Sequence, residues 1–326
     1  MSGAPLIHGI DAAFLGVTDP QPHLDFYCGQ LGYEVADQGA VPAAVADALW
    51  GLSGAVSGAV SGDVAVTVLT VAGAAHGRIV LLTVADAAEP EYPHTADYGL
   101  IGIDMYTRDI GAAHRALTAA GHRWVSAPAT WKVPFGDQVV TVTEGFCLAP
   151  EGTDLVFVQP ANPRGTAAWD ADPSRPYTEL TSVVCHVPDL DAELAFWGPD
   201  GLGLALWYDT TFSSEGLEQM ADLPARTRMR LAFLAGPQTA RIELTRIENR
   251  STGIDRRRRQ RTAHALGHSG WLVSTGDLDG ALARVTERAG TVLAGPLPGA
   301  GVLGSGRLAS VDTPNGIPLT IQEASR

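Results

Sequence analysis

Two polar side chains stand in otherwise apolar, strand-like stretches. Glu243 alternates with Arg241 and Thr245, so the three share one face of an extended chain. His268 opens another such stretch, just after a polar, arginine-rich segment. Taken alone, Glu243 belongs to an internal ion pair and His268 is a hydrogen-bonded, half-buried histidine. An acid and a histidine on facing strands are also the parts of a metal-free general acid/base pair. Asp104, Trp131, Lys132 and Glu144 form a second polar and aromatic group, and His8 and Asp11 a third. For these an edge-strand or strand-end position is the plainer reading. The run Arg256–Arg259 suits phosphate or carboxylate recognition, but like charges in a row are more often a solvated loop balancing nearby acids. Cys28, Cys147 and Cys185 make no CxxC pair, and their odd number is no disulfide framework, so buried free thiols are expected. No P-loop, dinucleotide fingerprint or nucleophile elbow is present.

Composition narrows the partners. The 326 residues are 45% hydrophobic and 18% charged, which describes a globular chain long enough for two domains. A formal charge of −14 leaves no broad basic face for nucleic acid or anionic membrane. No apolar run reaches membrane-spanning length, and Met1–Leu6 lacks the basic start of a signal peptide, so a cytoplasmic protein is expected.

The elements that must position these residues recur. Leu6–Val17 is strand-like. Asp19-Pro20 then opens a helix whose Leu24, Tyr27, Cys28 and Leu31 lie on one face, and Gly32 ends it. A strand from Tyr33, a short apolar helix over Val41–Leu52, a Ser/Gly loop over Gly54–Gly62 and strands Val64–Val71 and Arg78–Val84 complete a first unit. A second unit has strands at Leu100–Thr107, Arg123–Val125, Val139–Glu144 and Asp154–Gln159, with a helix from Asp109. A third has strands at Leu180–Val187, Leu204–Asp209, Arg228–Leu234 and Arg241–Ile247, a helix from Asp189 and a helical insertion at Ser214–Leu223. A fourth has strands at His268–Ser274, Thr291–Leu293, Arg307–Val311 and Leu319–Gln322, with a helix from Asp277. Spacing ties them in pairs. Gly73 to Arg78-Ile79 repeats in Gly236 to Arg241-Ile242, and Leu148-Ala149-Pro150-Glu151-Gly152 takes the place of Asp312-Thr313-Pro314-Asn315-Gly316.

Four strand–helix–three-strand units resemble the vicinal oxygen chelate superfamily, which includes glyoxalase I, bleomycin-resistance proteins and extradiol dioxygenases. The matching residues are the Val-x-Asp steps Val17-Thr18-Asp19 and Val187-Pro188-Asp189, the Leu-Gly pairs Leu31-Gly32 and Leu202-Gly203, and the turn Asp312–Gly316. The resemblance implies an α+β fold of four βαβββ modules in two half-barrel domains. One domain would be residues 1–162 (modules 6–85 and 99–160), the other 178–326 (modules 179–248 and 266–323), with 163–177 as linker.

In that superfamily metal ligands come from the first and last strands of each unit. Their places correspond here to Ala12, Gly102, Ser182 and His268 on first strands, and Val80, Val156, Glu243 and Thr320 on last strands. The resemblance therefore implies one site in the C-terminal half, with Glu243 and His268 as metal ligands or as base and acid. His186, four residues past Ser182, would be a third ligand only through a bulge, because it lies roughly 13 Å along the strand. Ring-cleaving iron chemistry would need a second histidine at Ser182 and is not expected. Two functions follow as expectations. One is an isomerase, epimerase or lyase that moves a proton next to a carbonyl of a small oxygenated metabolite, with one divalent metal ion or none. The other is metal-free binding of a small molecule, as in the bleomycin-resistance type. Either would be a monomer or homodimer whose partner is a small molecule, not nucleic acid or membrane.

Overall fold

The structure, a computed structural model, describes residues 5–51, 62–84, 89–249, 253–260 and 265–324. The Ser/Gly stretch expected as a loop falls, but for Gly62, outside them.

The four units are present. The first comprises β1 (Ala12–Val17), α1 (Pro20–Tyr27), β2 (Glu34–Val41), α2 (Ala43–Trp50), β3 (Val64–Thr70) and β4 (Arg78–Thr83). The second comprises β5 (Gly99–Thr107), α3 (Ile110–Ala119), β6 (Ala129–Phe135), β7 (Gln138–Ala149) and β8 (Thr153–Pro160). A short helix, α4 (Ala167–Ala171), precedes the third unit: β9 (Tyr177–His186), α5 (Leu190–Trp197), β10 (Ala205–Phe212), α6 (Glu215–Met220), β11 (Met229–Ala235) and β12 (Arg241–Ile247). After α7 (Arg257–Gln260) the fourth unit runs β13 (Gly267–Thr275), α8 (Leu278–Glu287), β14 (Thr291–Leu297), β15 (Leu308–Asp312) and β16 (Pro318–Glu323).

Each unit turns from strand to helix by the same device. Asp19, Asp109, Asp189 and Asp277 each accept a hydrogen bond from a backbone N–H in the first turn of α1, α3, α5 and α8. Such a cap contributes about 1 kcal/mol and points the helix back over its strand. The aromatic pairs at the helix ends, Phe26-Tyr27 and Phe196-Trp197, are fully buried in a core shared by both sheets.

The sheets do not follow the two sequence halves. One eight-stranded sheet runs β14-β15-β16-β13-β1-β4-β3-β2, and the other β10-β11-β12-β9-β5-β8-β7-β6. The first unit is thus joined to the fourth through β1 and β13, and the second to the third through β5 and β9, both antiparallel. The expected division into 1–162 and 178–326 fits the order of the modules but not their pairing. Spacing detects likeness between units; it carries no information on which strand edges meet. The N-terminal stretch also differs from expectation. Residues before Ala12 lie against the third unit, with Leu6 N–H donating to the Leu202 carbonyl at 3.0 Å. The strand expected at Arg123–Val125 is instead β6, from Ala129. A two-residue turn at Gly136-Asp137, with Gly136 at φ 57°, joins it to β7, and Pro134 is tolerated because β6 is an edge strand.

Candidate functional site: an aromatic cleft with an acidic and basic floor

Each sheet curls around a concave face, and the two faces are treated differently. In the sheet of the first and fourth units the concavity is filled. Phe14 and Trp50 meet edge to face at 5.5 Å, and Val66, Val80, Leu82, Leu49 and Leu303 pack around them. An opening of about 30 Å³, room for one water, is left beside them. Helix α2 supplies Ala46 and Leu49 to the filling, so this insertion is packing and not a lid.

His268 lies in this filled sheet. Its Nε2 accepts the indole N–H of Trp271 at 2.9 Å, and burial pushes it down to about 3, so the ring is neutral. It borders a separate cavity of about 390 Å³ that Glu91, Gly152, Arg256 and Arg259 also line. The arginine run is largely spoken for: Arg256 pairs with Asp97 and Glu91, Arg257 with Asp255, and Arg259 with Glu91.

Glu243 lies in the other sheet. The structure therefore separates the two residues expected to act together. His186 is in the same sheet as Glu243, but outside the lining of its cleft. Its Nδ1 faces Thr245 Oγ1 at 3.1 Å, its ring stacks on Tyr98 at 5.0 Å, and burial pushes it down to about 4.

The concave face of the second and third units is open, with a cavity of about 230 Å³. The sheet curls until its edge strands meet through aromatic rings. Phe135 of β6 stacks on Tyr208 at 5.9 Å and lies 5.2 Å from Trp207, both of β10, while Trp131 stacks on Phe212 at 5.7 Å. Phe233 of β11 meets Trp207 edge to face at 5.7 Å. Valines of β6 and β7 complete an apolar wall.

The floor is polar, with Asp104, Ser182, Tyr106 and Arg241 buried and Arg164, Glu144 and Glu243 half-buried. Arg241 stands two residues before Glu243, on the same face of β12. Its Nε donates to Ser182 Oγ at 3.0 Å, its Nη2 to the Tyr106 hydroxyl at 3.4 Å, and its guanidinium lies 4.1 Å over the Phe233 ring. Arg164 donates to the carbonyls of Thr181 and Thr239. Burial and the neighbouring Arg241 charge lower its proton affinity. Three carboxyls complete the floor. Burial pushes Glu144 up to about 8, against the pull of the Trp131 indole N–H that it accepts at 3.0 Å. Burial likewise lifts Glu243 to about 7, with Arg241 pulling the other way. Asp104 is held protonated well above the usual carboxylate range by burial and by the nearby Glu243 and Glu144. Asp104 and Glu243 stand close enough for each carboxyl to shift the other, and Asp104 Oδ1 is buried without a hydrogen-bond partner among the described residues.

These residues do not fit a divalent metal. The superfamily's ligand places in this cleft are Gly102, Val156, Ser182 and Glu243, one ligand in four, and an arginine cation already stands on the floor. Among the described residues no group of three His, Cys, Asp or Glu side chains is arranged to hold an ion.

Residues 9–157 match the family model described as the glyoxalase/bleomycin resistance protein/dioxygenase superfamily. That stretch, a little under half of the chain, is similar to that superfamily. Glyoxalase I from Zea mays has a similar fold, with a TM-score of 0.62 and 15% identity over 97% of this chain and 92% of that one. So has a proposed dioxygenase from Bacillus subtilis, at 0.60 and 13% over 99% and 87%. Comparison with curated protein sequences returns no match. The chain shares the fold of those proteins, while three of the four places in its open cleft where the sequence resemblance implies ligands are filled by Gly102, Val156 and Ser182. No helix among its described residues is long and apolar enough to cross a membrane.

Glu243, Asp104, Glu144 and Trp131 were each visible as candidates in the sequence. Arg241 was visible only as an ion-pair partner for Glu243. Arg164, Phe135, Trp207 and Phe233 carried no signal, because they come from the expected linker and from strands whose meeting depends on sheet closure.

Proposed function

We propose that the cleft of the second and third units holds a small organic molecule directly, by stacking against its rings and hydrogen bonding to its floor. The observation that carries this is an open aromatic cavity of about 230 Å³ over buried and half-buried polar side chains, in a fold whose other concavity is filled. An engineered cavity of about 150 Å³ accepts benzene, so a ring with a short substituent, or a fused bicycle, is the right size. Titration with 2-naphthamide, followed by calorimetry, is expected to show one saturable site per chain. Trp207→Ala should weaken it about 3- to 10-fold, the worth of one aromatic contact. Binding that is absent, or indifferent to Trp207, overturns the reading.

A second reading rests on Glu243, which lines the cleft beside Arg241 and which burial lifts to about 7. A carboxyl poised near neutrality beside a guanidinium is suited to take a proton next to a carbonyl while the cation steadies the enolate oxygen. Proton-transfer chemistry of the isomerase, epimerase or lyase kind would follow, with Glu243 as base and no part for His268. The check is deuterium uptake at the benzylic carbon of phenylpyruvate in D₂O. Catalysed exchange that Glu243→Gln abolishes supports turnover; equal exchange in both proteins leaves binding alone.

A further inference from the structure

The floor of the cleft has a charge imbalance in its contacts. Arg241 is buried, yet its hydrogen bonds go to two neutral hydroxyls, those of Ser182 and Tyr106. Arg164 gives its hydrogen bonds to two backbone carbonyls, and its Nε has no partner. Neither guanidinium is in an ion pair among the described residues, although both line the cavity. The acids nearby make no ion pair with either: Glu144 accepts the Trp131 indole N–H, and burial raises Asp104, Glu144 and Glu243 towards their neutral forms. Buried charges in proteins are nearly always paired, because an unpaired one forfeits its hydration for nothing. Two guanidinium groups, one buried and one half-buried, thus face this cavity with no carboxylate in ion-pair contact, beside acids that burial holds towards neutrality.

We propose that the ligand brings it: the cleft is a receptor for an aromatic carboxylate, or a planar anion of the same kind, its ring against Phe233 and Trp207 and its anionic oxygens on Arg241 and Arg164. This rests on the cleft being a small-molecule site and adds the chemical class of the ligand. The guanidinium of Arg241 is already oriented by Ser182 and by the Phe233 ring, so little side-chain freedom is lost on binding. Planar donors in a fork match the two oxygens of a carboxylate. The aromatic walls are sequence-distant and come from both units, so the ring is held between two edges of one sheet while the anion reaches its centre.

The test uses three probes with one ring: 2-naphthoate, 2-naphthamide and 2-naphthylmethylamine, titrated by calorimetry into the full-length protein at pH 6.5. The carboxylate is expected to bind at least tenfold more tightly than the amide, and the amine more weakly than either. Arg241→Met should bring the carboxylate down to the affinity of the amide, and Arg164→Met should remove part of the preference. Thermal unfolding of each variant establishes that it is folded. An amide or amine that binds as well as the carboxylate overturns the anion assignment and leaves the small-molecule site standing. A preference for carboxylate that survives both substitutions also overturns it. No binding of any probe overturns the small-molecule site and the anion assignment together.

Discussion

Glu144 shows what a buried acid costs this fold. Unfolded, its carboxyl ionises near 4.5; folded, it keeps its proton to about 8. Between those values the native state binds more protons than the unfolded chain, so the contribution of Glu144 to stability falls as pH rises through that window. Below pH 4.5 both states are protonated and the difference vanishes. Glu144→Gln keeps an acceptor for the Trp131 indole N–H and removes the ionisation. The variant is expected to match the wild type at pH 4.5 and exceed it by about 2–4 kcal/mol at pH 9, measured by urea unfolding. A difference that does not grow with pH would refute the burial argument. The same titration bears on ligand binding. Asp104, Glu144 and Glu243 face Arg241, Arg164 and Tyr106 across the floor. Ionising Glu243 and Glu144 adds negative charge beside the guanidinium groups, so affinity for 2-naphthoate should fall severalfold from pH 6.5 to 9 while 2-naphthamide is little changed. At this scale the sequence was partly legible. Acid and base alternating on one strand face revealed the polar floor at Glu243. It could not reveal that Arg241 gives its hydrogen bonds to hydroxyls, because Tyr106 is on a strand from another unit.

The two insertions have opposite effects on the two sheets. Helix α2 lays Ala46 and Leu49 into the first concavity, where Leu49 also offers its carbonyl to Ser310 at 2.7 Å. Helix α6 stands at the rim of the second, where Leu217 and Met220 pack with Trp131, and leaves the centre free. Both were legible as apolar helical segments at matching places. Which one fills a cleft was not, since that turns on the angle at which each leaves its strand. Leu49→Ala is expected to destabilise the protein by about 2–4 kcal/mol, the usual result of emptying a packed leucine site. It should leave 2-naphthamide affinity unaltered, because the filled sheet is a different body of side chains from the open one. Denaturant midpoints and calorimetry on the same preparation check both halves of that statement. The strand–helix turns were the most legible elements, since an aspartate cap acts within a few residues of itself.

At the scale of the molecule, spacing revealed four units and hid their pairing. Repeats of one length look alike whichever neighbour they join, and the joins here are made by β1 with β13 and β5 with β9. A site was expected in the C-terminal half; the open cleft proposed here is lined by both halves, with Trp131 and Glu144 from one and Arg241, Glu243 and Trp207 from the other. His268 was lost from it for the same reason. A chain ending at residue 162 would leave both β1 and β5 without their antiparallel partners. Such exposed central strands seek replacements. Residues 1–162 produced alone are expected not to unfold cooperatively as a monomer, but to associate through those edges, as light scattering after size-exclusion chromatography would show. A stable, monomeric, cooperatively unfolding fragment would contradict the pairing.

The crossed pairing also orders events on the ribosome. The strands of the open sheet occupy one continuous stretch of chain, from β5 to β12, and are complete before the fourth unit is made. The filled sheet spans the whole chain: Ser269 donates to the Phe14 carbonyl across 255 residues. The first unit to leave the exit tunnel is therefore the one that waits longest for its partner. While it waits, an identical unit on a neighbouring nascent chain offers β1 an edge of the same shape. Open sheet first and packed sheet last is the order this topology imposes, and crowding on a polysome is where it would fail.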